Sequence, residues 1–424
     1  MRRIAPLLLL LCAAALPPGA EAAAFSRFQH GGRATAQAGA FVARADDPAA
    51  VTVNPAALTR LDGVGLQIGL DFDAPTVRAE SAAGAHRAEH SIQFPPAAYL
   101  TWRSDAAPFA LGLGIDAPVW RFTDWQTRLL PERFTARRSE ARLFELRGAG
   151  ALELGARWSV GGALRAVRGE IGYGDTQRFD PGVEPGGGPI EIDRIAEADA
   201  DGFGFELATH YLAPRWGFGA TWKSEVEVDG RGDLVYTVSD PESVPEALAQ
   251  AARAALPAGS STLRESLPET WTAGIWWGPT ERLKLELDGS LSRWSAAAVP
   301  GATHEPARLD EPFALARRGG YDDTLSLRLG AEWTLSPSWS LGAGLAHEPS
   351  PAGGEAVEPG MPVGDLTIGS LGASWSMGWL AFDLGWSYHD AAPLRARGQQ
   401  EDPAAVTTYT AHAQVWSVSA RWKL

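Results

Sequence analysis

Between Val64 and Leu424 the sequence repeats one pattern, short stretches in which apolar and polar residues alternate one for one, and nothing else in the chain restricts the fold as tightly. In Leu283 to Trp294, Leu283, Leu285, Leu287 and Leu291 share one face, while Lys284, Glu286, Asp288, Ser290 and Ser292 share the other. The register recurs in Leu325, Leu327, Leu329, Ala331, Trp333 and Leu335 against Ser326, Arg328, Glu332 and Thr334. It returns in Leu380, Phe382, Leu384, Trp386 and Tyr388, and in Trp416, Val418, Ala420, Trp422 and Leu424. A period of two belongs to strands with one face in an apolar phase and the other in water. Stretches of about ten residues suffice to cross a bilayer, and because lipid offers no hydrogen bonds the backbone must pair around a closed barrel.

Link lengths give an independent argument. Strands placed near 64–74, 90–103, 110–122, 143–154, 158–173, 200–212, 216–237, 267–278, 283–295, 322–335, 339–348, 366–376, 379–390 and 409–424 number fourteen, which is even. The links between them alternate short and long. Short turns are Ser104 to Phe109, Gly155 to Arg157, Ala213 to Arg215, Pro279 to Arg282, Ser336 to Ser338 and Met377 to Gly378. The largest long links are Gly174 to Asp199, Val238 to Ser266 and Ala296 to Tyr321. Short turns at one rim and long loops at the other mark a bacterial outer-membrane barrel. A soluble β-sandwich would explain the alternating residues but not the alternating links.

The first residues read as an export signal, 1–24: Arg2 and Arg3, an apolar run from Ile4 to Leu16, and small residues Ala20 to Ala24, with cleavage after Ala22 or Ala24. No later stretch of about 18 apolar residues occurs, so no helix anchors the mature chain. The single cysteine, Cys12, lies in this segment, and Leu11 stands where a lipoprotein signal needs a small residue. Without cysteine the mature chain has no disulfide, thiolate metal site or thiol nucleophile. A formal net charge of −14 argues against nucleic acid as a partner. Tryptophan, at 17 residues, suits the aromatic girdles of a membrane barrel.

Gly31 to Gly63 breaks the strand pattern. It is rich in Ala and Gly and carries two successive helix starts, Asp47-Pro48 and Asn54-Pro55, each an N-cap acceptor before a proline. Two short helices are expected, the second ending near Gly63. In the third strand, Gly114, Asp116, Ala117 and Pro118 interrupt the ladder, since Pro118 cannot donate and Gly114 invites a bulge. Either the strand ends early at the rim or a kink opens the wall. Pro241 to Leu256 reads as an amphipathic helix with Val244, Leu248 and Ala252 on one face, closing a loop over the mouth or offering ligand an apolar landing site.

No catalytic set emerges. The histidines are scattered, with His86, His90, His304 and His389 in loops or near strand ends, and none sits in a nucleophile motif. No phosphate-binding glycine loop and no metal-ligand spacing is present, so neither cofactor nor metal is expected. Carboxylates such as Glu286, Asp288, Glu332 and Asp383 are ordinary for a water-facing wall.

The chain resembles the FadL/TodX family of outer-membrane transporters for long-chain fatty acids and other hydrophobic compounds. The matching residues are ARADDPAAVTVNPAALTRLDG, with Asn54-Pro55-Ala56 as the family's NPA motif after the acidic step Ala45-Asp46-Asp47. GFGATWKSEVEVDGRGD from Gly217, LPETWTAG from Leu267, Ser292-Arg293-Trp294-Ser295, YDDTLSLRLGAEW from Tyr321 and the Glu348 to Pro362 loop follow in the family's order. The resemblance implies an all-β, transmembrane antiparallel barrel of about fourteen strands over 64–424, with 25–63 folded into the lumen as a small helical hatch. Phe25, Phe28, Asn54, Pro55 and Ala56 then belong to the hatch and ligand path. Gly114, Asp116, Ala117 and Pro118 form a kink through which ligand leaves sideways. It further implies a monomer, without enzymatic activity or cofactor, in the outer membrane of a Gram-negative bacterium. Its partners are hydrophobic small molecules (fatty acids or hydrocarbons), outer-membrane lipids and the barrel assembly machinery. Leu424 departs from the terminal Phe usual in such barrels. The alternative is a general diffusion or structural barrel without hydrophobic ligand specificity.

Overall fold

The computed structural model describes residues 30–424 except 83, 90, 91, 126–135, 181–188, 257, 298–300, 306–320, 353–356, 358, 361, 363 and 398–405. Thus the export signal, Phe25 and Phe28 lie outside the described residues. The wall is built from β1 (Val64–Ser81), β2 (Pro96–Arg103), β3 (Phe109–Asp124), β4 (Arg138–Glu153), β5 (Trp158–Phe179) and β6 (Ile190–Ala213). Next come β7 (Trp216–Lys223 and Val226–Val238), β8 (Gly259–Leu267 and Thr270–Trp277), β9 (Leu283–Ser292) and β10 (Thr324–Ser336). It ends with β11 (Trp339–Glu348), β12 (Leu366–Ser376), β13 (Leu380–Arg397) and β14 (Val406–Lys423). Each strand is antiparallel to the next, and β14 pairs with β1 from Gly65 opposite Lys423 to Glu80 opposite Thr408, which closes a barrel of fourteen strands. No free edge is left between first and last strand.

Alternation decides what each face meets. Leu111, Leu164, Phe203, Leu287, Leu325 and Leu371 point outward and are exposed, while Gln67, Glu145, Glu206, Glu286 and Asp383 point inward and are buried. At the short-turn rim the aromatic rings touch across strands: Trp102 with Phe109 at 5.4 Å, Trp158 with Tyr211 at 4.8 Å and Tyr211 with Trp216 at 4.9 Å between centroids. Amphipathic rings gather where lipid gives way to water, so this belt places one interface.

Above the lipid-facing band, β4 to β8 run on for many residues where long loops are expected. There the two faces exchange character. On β4 the inward residues pass from Arg147 and Glu145 to Leu143 and Ala141, and the outward ones from Leu146 and Phe144 to Arg142 and Glu140. On β7 the exchange coincides with a break at Ser224 and Glu225, matched on β8 by Pro268 and Glu269, after which Val226, Val228, Leu263 and Leu267 face inward. They join Leu143, Val167 and Ile171 in an apolar core. Each such side chain, fully buried, contributes roughly 1.5–3 kcal/mol, which makes these strands a lobe stable in water. Polar-out, apolar-in segments read as loop to a search for lipid-facing strands, which explains the difference.

The expected outer helix is present as Glu246–Ala255, and its Leu248, Ala249 and Ala252 are buried against Ile190, Ile192 and Leu256. Its apolar face is therefore occupied by the lobe.

Candidate functional site

Residues 30–63 lie inside the ring. They form α1 (Gly32–Thr35), α2 (Ala50–Val53) and a 3-10 turn, Pro55–Arg60, before Gly63, at φ 61, turns the chain into β1. Two of these follow the proline-marked starts; α1 was not foreseen, having neither cap nor proline. Asp47 accepts from Ala49 N at 3.0 Å. Asn54 caps the 3-10 turn by accepting from Ala56 N at 3.1 Å, and its amide nitrogen donates to Val42 O at 2.9 Å and to Thr209 O of the wall at 3.3 Å. Pro55 takes the first position of the turn, where no N–H is needed. Ser159 Oγ donates to Ala56 O at 2.8 Å. The Asn-Pro-Ala triplet thus joins two loops of the segment to β5 and β6.

The strongest attachment comes from carboxylates that sequence reasoning treated as ordinary. Asp288 accepts from Phe41 N at 2.8 Å and Val42 N at 3.0 Å, and Glu286 from Ala43 N at 2.7 Å and Arg44 N at 3.1 Å. Arg33 is held by Glu332 at 2.7 Å and Asp46 at 2.6 Å. Lys284 reaches Asp46 at 3.3 Å. Ala38 and Ala45, flanking the clamped loop, have φ of 52° and 36°. A side chain in that region costs about 1–3 kcal/mol and persists only when its surroundings hold it. Nothing in a strand pattern reveals that Glu286 and Asp288 face backbone amides; only the folded segment does.

Close approach also depends on wall glycines. At Gly219 a Cβ would run into the Val42 carbonyl and stand 2.7 Å from Asn54 Nδ2. Gly219→Ala is expected to destabilise the folded protein by about 1–3 kcal/mol through overpacking, measurable as a lower temperature for loss of the compact, heat-modifiable band on electrophoresis. Gly148, whose Cβ would meet nothing within 4 Å, is the control.

The kink residues are where the wall is broken. Asp116 opposes Glu145 and Val119 opposes Leu143, so Ala117 and Pro118 together face one residue of β4, a β-bulge. The strand does not end there but continues to Asp124, which removes the early-end reading. On the other side, β2 pairs with β3 only from Arg103 opposite Ala110 to Ala98 opposite Ile115. Above that, Gln93 and Pro95 stay with β1, accepting from Asp73 N at 3.0 Å and Asp71 N at 3.2 Å. The next link to β3 is Glu89 N donating to Asp124 O. Between Ile115 and Asp124, β3 therefore has no backbone partner on the β2 side among the described residues. Gly114 lies just below, its inward face against Val51 and Tyr99.

Segment and break meet. Tyr99 Oη donates to Asp116 at 3.2 Å and lies 3.4 Å from His30 Nδ1, which is itself 3.7 Å from Asp116. A cavity of about 100 Å³ lies alongside, lined by Val42 and Val53 of the segment, Asp116 and Pro118 of the bulge, and Leu267 and Lys223. Lys223 donates to Thr52 O at 3.0 Å, and Arg147 and Arg165 line the same space while paired to Glu145 at 2.7 and 2.8 Å. Among the described residues no group of acidic, His or Cys side chains is arranged to hold a metal, and no helix is long and apolar enough to cross a membrane.

A fourteen-stranded barrel with exposed apolar bands, a lumen filled by its own N-terminal segment and a wall broken beside that segment is an outer-membrane transport barrel. The chain belongs to the outer membrane protein transport protein family (OMPP1/FadL/TodX), whose model matches residues 11–424. That family comprises transport channels of the Gram-negative outer membrane, not enzymes. Among solved structures it is similar to a Pseudomonas aeruginosa FadL homologue, at 17% identity and TM-score 0.78 over 94% of this chain and 99% of that one. It is also similar to the P. putida toluene transporter TodX, at 15% identity and TM-score 0.71 over 93% and 98%, and to the Ralstonia pickettii toluene transporter TbuX, at 18% and 0.64 over 93% and 98%. At these identities the likeness establishes the fold. A search of curated proteins by sequence gave no match.

Proposed function

We propose that this member of a family of hydrophobic-compound transporters carries long-chain fatty acids passively, with residues 25–63 as a hatch and the β3 bulge as a sideways exit, after removal of 1–24 as an export signal. The observation that carries this reading is the cavity that joins the segment, the bulge and Lys223 in one space. An acyl chain crosses a polar leaflet poorly, whereas each CH₂ moved into an apolar path gains roughly 0.8 kcal/mol. Val42, Val53, Pro118 and Leu267 offer such a path, and the ammonium of Lys223, whose bond to Thr52 O uses one of three donors, offers a partner for a carboxylate. Ligand binding would favour a displaced hatch only by its difference in affinity for the two positions.

A second reading, transport of monoaromatic hydrocarbons, is favoured by the likeness to toluene transporters. Head-group chemistry separates the two. Lys223→Met is expected to lower uptake of a radiolabelled long-chain fatty acid about tenfold, the loss of one charge-assisted bond, and to leave toluene uptake unchanged. Fatty acid uptake equal to wild type would count against an anionic ligand; rapid toluene uptake with no fatty acid uptake in the wild type would favour the second reading. A general diffusion barrel would pass small sugars at the same rate with or without residues 25–63.

A further inference from the structure

The lobe above the membrane carries a feature that transport through the lumen does not use. Its outward face is a grid of charges whose rows are fixed by strand register. In the first row Arg168 of β5 opposes Asp201 of β6, Asp201 opposes Asp229 of β7, and Asp229 opposes Arg264 of β8. In the second, Arg142 of β4 opposes Glu170, with Glu170 opposite Asp199 and Asp199 opposite Arg231. In the third, Glu197 opposes Asp233. Directly below the first row stand Leu146, Ala166 and Phe203, and Phe203 is 77% exposed, one of the most lipid-accessible side chains in the wall. The grid therefore begins where the hydrocarbon ends and continues an interface already made with lipid.

Two properties distinguish it from a merely solvated face. Like charges directly opposite each other, as at Asp201 with Asp229 and Glu197 with Asp233, disfavour strand pairing; Arg264 answers Asp229 at 2.6 Å and Arg138 answers Glu197 at 3.0 Å, which leaves Asp201 and Asp233 without an ion pair among the described residues. The surface is also concave. A hollow of about 460 Å³ is lined by Arg142, Glu170, Asp199, Arg231 and Asp233 among others. Arg168 and Arg231 make no ion pair among the described residues, so their guanidinium donors point outward unspent. On the opposite wall the outward residues at comparable positions are sparser in charge, among them Arg78, Glu80, Asp390 and Arg395.

We propose that this face docks the phosphorylated headgroup of the outer-leaflet glycolipid. Arg168 and Arg231 pair with its phosphates in the forked geometry guanidinium favours. Arg142 and Arg264, held by Glu140 at 2.7 Å and Asp229 at 2.6 Å, share their remaining donors with them, and Asp201 and Asp233 are neutralised by the divalent cations that accompany those phosphates. A layer of anions cross-linked by cations matches a surface bearing both signs better than either sign alone would. This docking orients the β3–β8 side of the barrel in the leaflet and does not depend on which compound the lumen carries.

The test uses the full mature chain in detergent, stripped of lipid and titrated with lipopolysaccharide in the presence of Mg²⁺, with native mass spectrometry as readout. Wild type is expected to retain bound lipopolysaccharide, and the quadruple change Arg142→Gln, Arg168→Gln, Arg231→Gln, Arg264→Gln to weaken binding about tenfold or more. Arg78→Gln with Arg395→Gln is expected to match wild type, and chelation of Mg²⁺ to weaken wild-type binding. Should the quadruple variant fail to fold, Arg168→Gln with Arg231→Gln removes two unpaired surface side chains and is expected to show the same direction. Wild-type affinity in the arginine variants, equal binding to phosphatidylglycerol vesicles, or complete displacement by inorganic phosphate would each overturn the proposal.

Discussion

Cells carrying the chain with Ala117 deleted are expected to take up long-chain fatty acid no faster than cells lacking the protein. Ala117 and Pro118 together face one residue of β4, so removing one of them restores a one-to-one register. Asp116 stays opposite Glu145 and Val119 opposite Leu143, and neither half of β3 turns its other face to the lipid. The deletion thus takes away the bulge, Pro118 remaining as one missing donor, and β3 can straighten against the stretch from Ile92 to Pro96. The barrel keeps its other pairings, and a compact band on electrophoresis before heating verifies this. Uptake at the wild-type rate by a folded deletion variant would show that ligand does not need the bulge.

Glu286→Ala combined with Asp288→Ala is expected to free the luminal segment and turn a closed lumen into a conducting one. Those two carboxylates receive four backbone N–H groups from Phe41, Val42, Ala43 and Arg44. A hydrogen bond of this kind contributes roughly 0.5–1.5 kcal/mol net, so losing four removes on the order of 4 kcal/mol. The strain at Ala38 and Ala45 then acts in the same direction, since the clamp between them no longer opposes it. Barrel closure is untouched because the pairing of β9 with β8 and β10 is made by backbone. In planar bilayers the double variant should show frequent openings with a raised ion conductance where wild type stays closed, and the amides of Phe41 to Arg44 should exchange with solvent faster. A closed lumen with those amides still protected would mean that Asn54, Arg33 and the wall glycines suffice.

How much of this was legible beforehand follows from what a strand pattern encodes. The lipid-facing halves of β9, β10, β13 and β14 announce themselves because lipid demands apolar residues at every second position. The upper halves of β5 to β8 do not, because their faces are exchanged, and Glu197, Asp199 and Asp201 in succession with alanines look like loop rather than wall. At Pro118 an absent donor marked the place of the bulge, but only pairing with β4 distinguishes a bulge from a strand end. Asn54-Pro55 gave the 3-10 turn through ordinary capping chemistry, whereas its bond to Thr209 spans 155 positions and leaves no local trace. Glu286 and Asp288 look like any luminal carboxylates, and their role depends on where a distant segment places its amides.

Sideways exit is tested most directly by mapping where a departing ligand touches the protein. A fatty acid bearing a photoreactive diazirine near its methyl end, loaded into the reconstituted full chain and irradiated, can be located by peptide mass spectrometry. Label on Ala117, Pro118 and the facing stretch around Phe94 is the predicted outcome. Label confined to the short-turn rim around Arg60 and Asp62, with none at the bulge, would contradict it and place the exit at the bottom of the lumen.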